Sequence, residues 1–118
     1  MPERTRLYAV RSGLEDARGL PAGAIVIQSS GPVQRDDEDV RITRWDFEPG
    51  AATGWHTHGW PYFVVMLTDA LMRVDDGANV SEIPRKAGDA YNRQAGVQHD
   101  VMNGSDAPMA FIEIEMKR

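Results

Sequence analysis

The chain has 118 residues, 42% of them hydrophobic, which suits one domain with one core, and its lack of cysteine excludes disulfides, thiolate metal ligands and a cysteine nucleophile. Its net charge of -5, with no long Lys/Arg run, argues against nucleic acid as a partner. The sequence opens without an apolar leader, and its longest apolar run (62–67) is far shorter than the roughly 20 residues of a membrane span, so we expect a cytoplasmic protein with no membrane partner.

The predicted elements, taken in chain order, are mostly strands. Ser12 followed by Glu15 resembles a capping box and predicts one short helix to about Arg18, after which 19–23 should be a loop. A short strand (24–28) and a polar loop (29–39) follow. Beyond them, turn signals recur at short, regular intervals and separate predicted strands at Val40–Phe47, Ala52–His58, Tyr62–Thr68, Ala70–Val74, Val80–Ile83, Ala90–Gln94, Gln98–Met102 and Met109–Met116. This spacing predicts an all-β sandwich or barrel.

The last predicted strand alternates strictly between apolar and charged residues. Its apolar positions are Ile112, Ile114 and Met116, and its charged positions are Glu113, Glu115 and Lys117. Because successive side chains of a strand point to opposite faces, we expect the apolar set to be buried and the charged set to be solvated.

All three histidines of the chain lie in two glycine-bearing segments. His56 and His58 are two residues apart, so a strand would put both imidazoles on one face, and His99 follows a turn that can start another strand. A single such histidine would more often be a hydrogen-bonded barrel residue without a metal. Three of them on neighbouring strands favour one metal site, since imidazole is the commonest metal ligand.

The spacing of these two segments resembles the cupin family. The first cupin motif is a glycine, a His-x-His pair, a glutamate and a closing glycine, and Gly50, His56 and His58 match its beginning. The second motif is matched by residues with the expected spacing, with glutamine in the proline slot: Gly88, Gln94, Gly96, His99 and Asn103. The residues before and within these two segments also resemble those of the small single-domain cupins grouped with β-alanine degradation proteins.

The resemblance implies an all-β fold of the cupin type. It implies a double-stranded β-helix, or jelly-roll barrel, with at most a short N-terminal helix, and a single domain over residues 1–118 whose conserved barrel runs from about 24 to 116. Small cupins commonly pair, and an alternating C-terminal strand offers an edge that must be covered or charged, so we expect a homodimer.

The chain departs from the cupin pattern at the glutamate ligand. That slot holds Tyr62 or Phe63, and the closing glycine slot holds Asp69 or Ala70. The ligand set therefore resembles that of the cupin thiol and diketone dioxygenases, which use three histidines. Three neutral imidazoles leave a divalent ion its full charge and leave positions open for oxygen or a chelating anion. We expect one divalent transition metal, iron first, with nickel, zinc, manganese or copper as alternatives.

Other candidate site residues surround these histidines. Tyr62 is the candidate catalytic residue, through a hydroxyl that bonds a ligand, although it could equally fill the space left by glutamate. Trp60, Tyr91 and Arg93 are the candidate substrate-binding residues. Tyr91 and Arg93 share a strand face, so both or neither should line the pocket. An inward arginine would pair with an acidic substrate. Asp100 should point away from His99, where we expect simple exposure to solvent ahead of the alternative, that it orients a histidine of a neighbouring strand.

Three functions remain open from the sequence. The leading one is a metal-dependent enzyme acting on a small anionic or chelating substrate, most of all a dioxygenase-type oxidoreductase. The same metal could instead support lyase, isomerase or decarboxylase chemistry as a Lewis acid. The other two are a non-catalytic metal- or ligand-binding cupin and a metal-free cupin whose histidines act as acid and base.

Overall fold

The computed structural model describes the backbone of residues 4–7 and 25–118 and the side chains from residue 29 onward. The helix and loop predicted within 12–23 lie outside these residues. Strands are the regular elements of the described ranges, where they are joined by turns and loops. These ranges contain no helix that is long and apolar enough to cross a membrane. The strands are β1 (Arg4–Leu7), β2 (Ile25–Gln28), β3 (Val33–Asp36), β4 (Val40–Phe47), β5 (His56–Thr57), β6 (Tyr62–Met66), β7 (Ala70–Asp75), β8 (Val80–Arg85), β9 (Ala90–Arg93), β10 (Gln98–Asn103) and β11 (Met109–Met116).

Two antiparallel sheets make up the body of the fold. One has the strand order β3-β4-β11-β6-β9 and the other β5-β10-β7-β8, while β1 pairs with β2. The core includes Phe47, Met66, Met72 and Met109, each 1% exposed, and the Phe47 and Phe111 rings pack 5.4 Å apart. Burial of these large apolar side chains provides the main stabilisation of the fold. The all-β prediction is therefore confirmed.

Two predicted segments differ in detail. The predicted loop over 29–39 contains β3, an edge strand whose four residues are all exposed and which pairs with β4. Polar edge strands of this kind read as loops in sequence because they lack a buried face. The predicted strand Ala52–His58 is reduced to β5, since the preceding chain instead bonds along β10, where Thr53 N–H donates to the Val101 carbonyl at 2.8 Å.

The prediction for the last strand is wrong in its polarity. Glu113 and Glu115 are each 8% exposed and point inward with Phe111, whereas Ile112 and Ile114 lie on the outer face and are partly exposed. β11 also lies between β4 and β6, so it is not an edge and needs no charged protection. The physical reason is that the inner face of this strand borders a cavity, where carboxylates can be accommodated.

Candidate metal centre

The two histidine segments meet because β5 pairs with the start of β10. In this register His56 lies directly opposite His99. The chain then continues the contact, as His58 N–H donates to the Val97 carbonyl at 2.9 Å and Gly96 N–H donates to the His58 carbonyl at 2.8 Å. Backbone pairing alone therefore brings all three imidazoles to one end of the barrel.

The three imidazoles converge through their Nε2 atoms. The His56 and His58 Nε2 atoms are 2.9 Å apart, and those of His58 and His99 are 3.1 Å apart. Neighbouring rings are close to perpendicular, at 77° and 88°. His56 Nδ1–H donates to the Gly54 carbonyl at 2.8 Å, which leaves the Nε2 of that ring as a lone-pair donor.

This spacing fits a divalent metal ion. A metal–nitrogen bond is about 2.0–2.1 Å, so two imidazole nitrogens at right angles around one ion lie about 3.0 Å apart, against about 3.4 Å in a tetrahedron. The observed 2.9 and 3.1 Å match the right-angled arrangement. Three imidazole ligands would leave further coordination positions of such an ion open.

Gly54 holds His56 in place and is itself held by Asp100. Gly54 has a φ of 84°, a left-handed conformation that favours glycine, and its carbonyl receives the His56 proton. Its N–H donates to Asp100 Oδ1 at 3.1 Å, and Asp100 is only 5% exposed. The prediction that Asp100 faces solvent is therefore wrong, because the loop before β5 covers the outer face of β10 there.

Burial keeps two of the histidines neutral. Burial, helped by the charge of the neighbouring His56, lowers the pKa of His58 to about 4 and that of His99 to about 3. Only a neutral imidazole can bind a metal. These two ligands are therefore ready to bind throughout neutral and mildly acidic solution.

The metal centre opens into a cavity of about 230 Å³ between the two sheets. Its wall is mostly apolar and aromatic, with polar groups from three histidines, two glutamates, one threonine and two tyrosine side chains. The lining residues are Trp45, Thr53, His56, His58, Tyr62, Val64, Tyr91, His99, Val101, Phe111, Glu113 and Glu115. Pockets of this composition and position are typical small-molecule sites.

Tyr62 occupies the position of the missing glutamate. It faces the interior and is 2% exposed, whereas Phe63 is 45% exposed. Its ring stacks on His58 with centroids 3.9 Å apart, and its buried hydroxyl has no hydrogen-bond partner within the part of the chain that the structure describes. Burial raises the pKa of Tyr62 well above its ordinary value, so the hydroxyl remains protonated and can donate to a ligand.

Known proteins share this fold and much of this sequence. No family model matches the chain. Beta-alanine degradation protein BauB of Pseudomonas aeruginosa (strain PAO1) is 43% identical over 90 residues, which cover 76% of this chain and 95% of that protein. A cupin domain from Bordetella pertussis Tohama I is 37% identical with a TM-score of 0.75, over 77% of this chain and 95% of that one. The chain belongs to the cupin family.

A more distant structure agrees on the fold of this cupin. A cupin superfamily protein from Desulfitobacterium hafniense DCB-2 superposes with a TM-score of 0.63 over 96% of this chain and 99% of its own, at 14% identity. At that identity the likeness shows the fold alone. The expected double-stranded β-helix is confirmed.

Two carboxylates that the strand pattern assigned to solvent line the cavity of this cupin. Glu115 lies opposite Tyr62 in the β11–β6 register, and Glu113 lies opposite Val64. Ligand atoms of Glu113, Glu115 and His58 all lie within 4.8 Å of one another. Burial, together with repulsion from the nearby Glu115, raises the pKa of Glu113 to about 7. The sequence does indicate that these glutamates face inward, because both share a strand face with Phe111, and phenylalanine is seldom exposed to solvent.

The predicted substrate-binding residues are placed differently from one another. Tyr91 lines the cavity, but Arg93, the last residue of β9, is exposed, so the expectation that both or neither would line it is wrong. Trp60 lies outside the lining, with Arg41 and Lys117 over its ring at 5.3 and 5.2 Å. Substrate contact by Trp60 and Arg93 stays a prediction.

The raised pKa of Glu113 predicts how a Glu113→Gln variant responds to pH. In metal-free protein the folded state holds a proton on Glu113 up to a pKa of about 7, against an ordinary 4.5, so the wild type loses stability as pH rises through that window. Glutamine does not titrate. The unfolding free energy of the variant relative to wild type should therefore grow by on the order of 2 kcal/mol between about pH 4 and about pH 8.

Denaturant unfolding of chelator-treated protein at several pH values measures this difference. The control is Glu48→Gln, which removes an exposed carboxylate that is not part of an ion pair in the described chain, and its stability relative to wild type should change little with pH. A flat profile for Glu113→Gln as well would show that this side chain does not titrate abnormally.

Proposed function

We propose that this cupin is a metal-dependent oxidoreductase of the dioxygenase type that acts on a small, metal-chelating molecule. The observation that carries the proposal is the convergence of three imidazole Nε2 atoms, with His58 2.9 Å from His56 and 3.1 Å from His99, beside a cavity of about 230 Å³. Such a site can hold a metal while keeping positions free for a substrate and for dioxygen.

Each part of the cavity has a role in this proposal. His56, His58 and His99 would hold one divalent metal, iron first. Bound iron supplies the activation of dioxygen. The Tyr62 hydroxyl donates a hydrogen bond to an oxygen of the substrate and so orients it. The apolar wall of Val64, Val101 and Phe111 excludes water from the reacting groups.

The name of the 43% identical relative supports a substrate class. That protein is named for β-alanine degradation. We therefore place the substrate of this cupin among the small carboxylate-bearing molecules of that process. A cavity of about 230 Å³ suits a molecule of this size.

One observation favours a second candidate function, a lyase, isomerase or decarboxylase. The pKa of Glu113 is raised to about 7, which suits a general base at neutral pH. In that case the metal would act as a Lewis acid and no oxygen would be consumed.

Oxygen uptake separates these two functions. Protein purified without a histidine tag and loaded anaerobically with iron(II) should consume oxygen with a member of a panel of β-diketones, thiols and small carboxylates. Zinc-loaded protein and the His58→Ala variant should consume none. Substrate turnover that is equal with iron and zinc would contradict the oxygenase and favour Lewis-acid chemistry.

We also propose that the protein is a homodimer, and we predict that it is located in the cytoplasm. Support for the dimer comes from the outer face of the five-stranded sheet, where Ile112, Ile114 and Val65 are partly exposed and Phe63 is 45% exposed. A second copy would cover this apolar face. Sedimentation at micromolar concentration should give the mass of two chains, and a monomer mass would contradict the proposal.

A further inference from the structure

The cavity has a second polar end, opposite in character to the metal centre. Glu113 and Glu115 project into it from β11, and each is 8% exposed. Their carboxylate oxygens lie within 4.8 Å of each other and of a ring nitrogen of His58, but they do not belong to the cluster formed by all three histidines. Since the Nε2 of His58 already points at His56 and His99, the two carboxylates form a neighbouring site and do not complete the ligand set of the first one.

The charge at this end of the cavity is poorly balanced. Arg41 lies 3.9 Å from Glu115, on the outer limit of an ion pair, and Arg41 is itself partly exposed. The described residues provide no ion pair to Glu113. Two adjacent buried carboxylates repel one another and are costly to desolvate, so at neutral pH they need either a retained proton or a cation between them.

The surroundings of the two carboxylates favour an organic cation. Four aromatic side chains line the same cavity, namely Trp45, Tyr62, Tyr91 and Phe111. Aromatic faces attract ammonium groups, and the combination of aromatic rings with carboxylates is how proteins recognise such ligands. A bare metal ion would gain nothing from the rings.

A separate group in the cavity calls for an anionic partner. The Tyr62 hydroxyl belongs to a side chain that is 2% exposed, and it lacks a hydrogen-bond partner among residues 29–118. Its ring stacks on His58, and Glu115 lies opposite Tyr62 in the β11–β6 register, so this side chain borders both the metal centre and the carboxylates. An oxygen of a bound ligand would satisfy this donor.

We propose that Glu113 and Glu115 bind the ammonium group of a small zwitterion whose anionic end is held at the three histidines and Tyr62. The ligand class is thus an amino acid or a close derivative, with the two charges separated by a short carbon chain. The anionic half of this proposal rests on the proposed function, whereas the ammonium half rests on the carboxylates and aromatic rings alone.

Calorimetry with three matched probes tests the two halves separately. Propylammonium carries only the cation, propanoate only the anion, and 3-aminopropanoate both. They are titrated into metal-free and cobalt(II)-loaded protein, for the wild type and for E113Q/E115Q. The control is E48Q/E82Q, which removes two exposed carboxylates.

Propylammonium should bind the wild type with or without metal, and E113Q/E115Q should weaken it at least 10-fold. 3-Aminopropanoate should bind the loaded wild type at least 10-fold more tightly than propanoate does, and the double variant should remove that preference. Propanoate should bind E113Q/E115Q at least as tightly as it binds wild type, because the variant removes only repulsion. E48Q/E82Q should behave as wild type.

The remaining outcomes are equally decisive. Propylammonium binding that is absent, or unchanged in E113Q/E115Q, would overturn the proposal. So would loss of bound cobalt in that variant, which would make the carboxylates metal ligands. Propanoate that binds regardless of cobalt would contradict the proposed function and leave the ammonium site standing. If the double variant does not fold, E113Q and E115Q are measured singly, and each should weaken propylammonium at least 3-fold.

Discussion

Replacing His58 with alanine is expected to lower metal affinity by at least about 100-fold. The Nε2 of His58 lies 2.9 Å from that of His56 and 3.1 Å from that of His99. The substitution therefore removes the metal ligand that lies next to both of the others. Altering residues that merely support metal ligands costs about 10–100-fold, and loss of a ligand should exceed that range. The fold should survive, because β5 and β10 are joined by backbone bonds that do not use this side chain.

Metal analysis after dialysis, followed by chelator competition, measures this effect. Wild type should retain about one ion per chain, and both His58→Ala and the triple variant of His56, His58 and His99 should retain almost none. The control is Gln98→Ala, an exposed residue next to His99 that should leave metal content unchanged. Equal metal content in wild type and the triple variant would show that the histidines are not the ligands.

Replacing Tyr62 with glutamate should have opposite effects on the metal-free and metal-loaded protein. Without metal, the variant places a third buried carboxylate beside Glu113 and Glu115 and loses the ring that stacks on His58, so it should be less stable by several kcal/mol. With metal, the new carboxylate can act as a fourth ligand. The rise in Tm on metal addition should therefore grow by on the order of 10 °C.

The same substitution should weaken binding of chelating anions. A glutamate ligand lowers the net charge of the metal site and occupies a position that the anion needs. Anion titration of folded, metal-loaded Tyr62→Glu measures this, and an affinity equal to wild type would contradict an open coordination position. Tyr62→Phe is the matched control for the hydroxyl. It should weaken anion binding by about 1 kcal/mol if the hydroxyl contacts the ligand and should change little if the ring only packs.

The strand pattern and the spacing of the histidines could be predicted because both depend on local periodicity. His56 and His58 share a face in any strand, and the turn before His99 determines where β10 begins. The pairing of His56 with His99 then follows from the fold. The polarity of β11 could not be predicted in this way. Alternation separates Ile114 from Glu115 but does not tell which face points inward.

That choice depends on neighbours distant in sequence. Glu115 lies inward because β6 and β4 flank β11 and carry Tyr62 and Arg41 opposite it. A second non-local contact, the bond from Gly54 to Asp100, was hidden for the same reason, since 46 residues separate its partners. Both features depend on how the sheets close around the cavity, which no local window of the sequence contains.

Anomalous diffraction from crystals soaked in cobalt(II) tests the central claim most directly. We expect one strong peak per chain, about 2.1 Å from the Nε2 atoms of His56, His58 and His99. The same crystals of the His58→Ala variant should show no peak there. A peak in wild type between Glu113 and Glu115, or none near the three histidines, would contradict it.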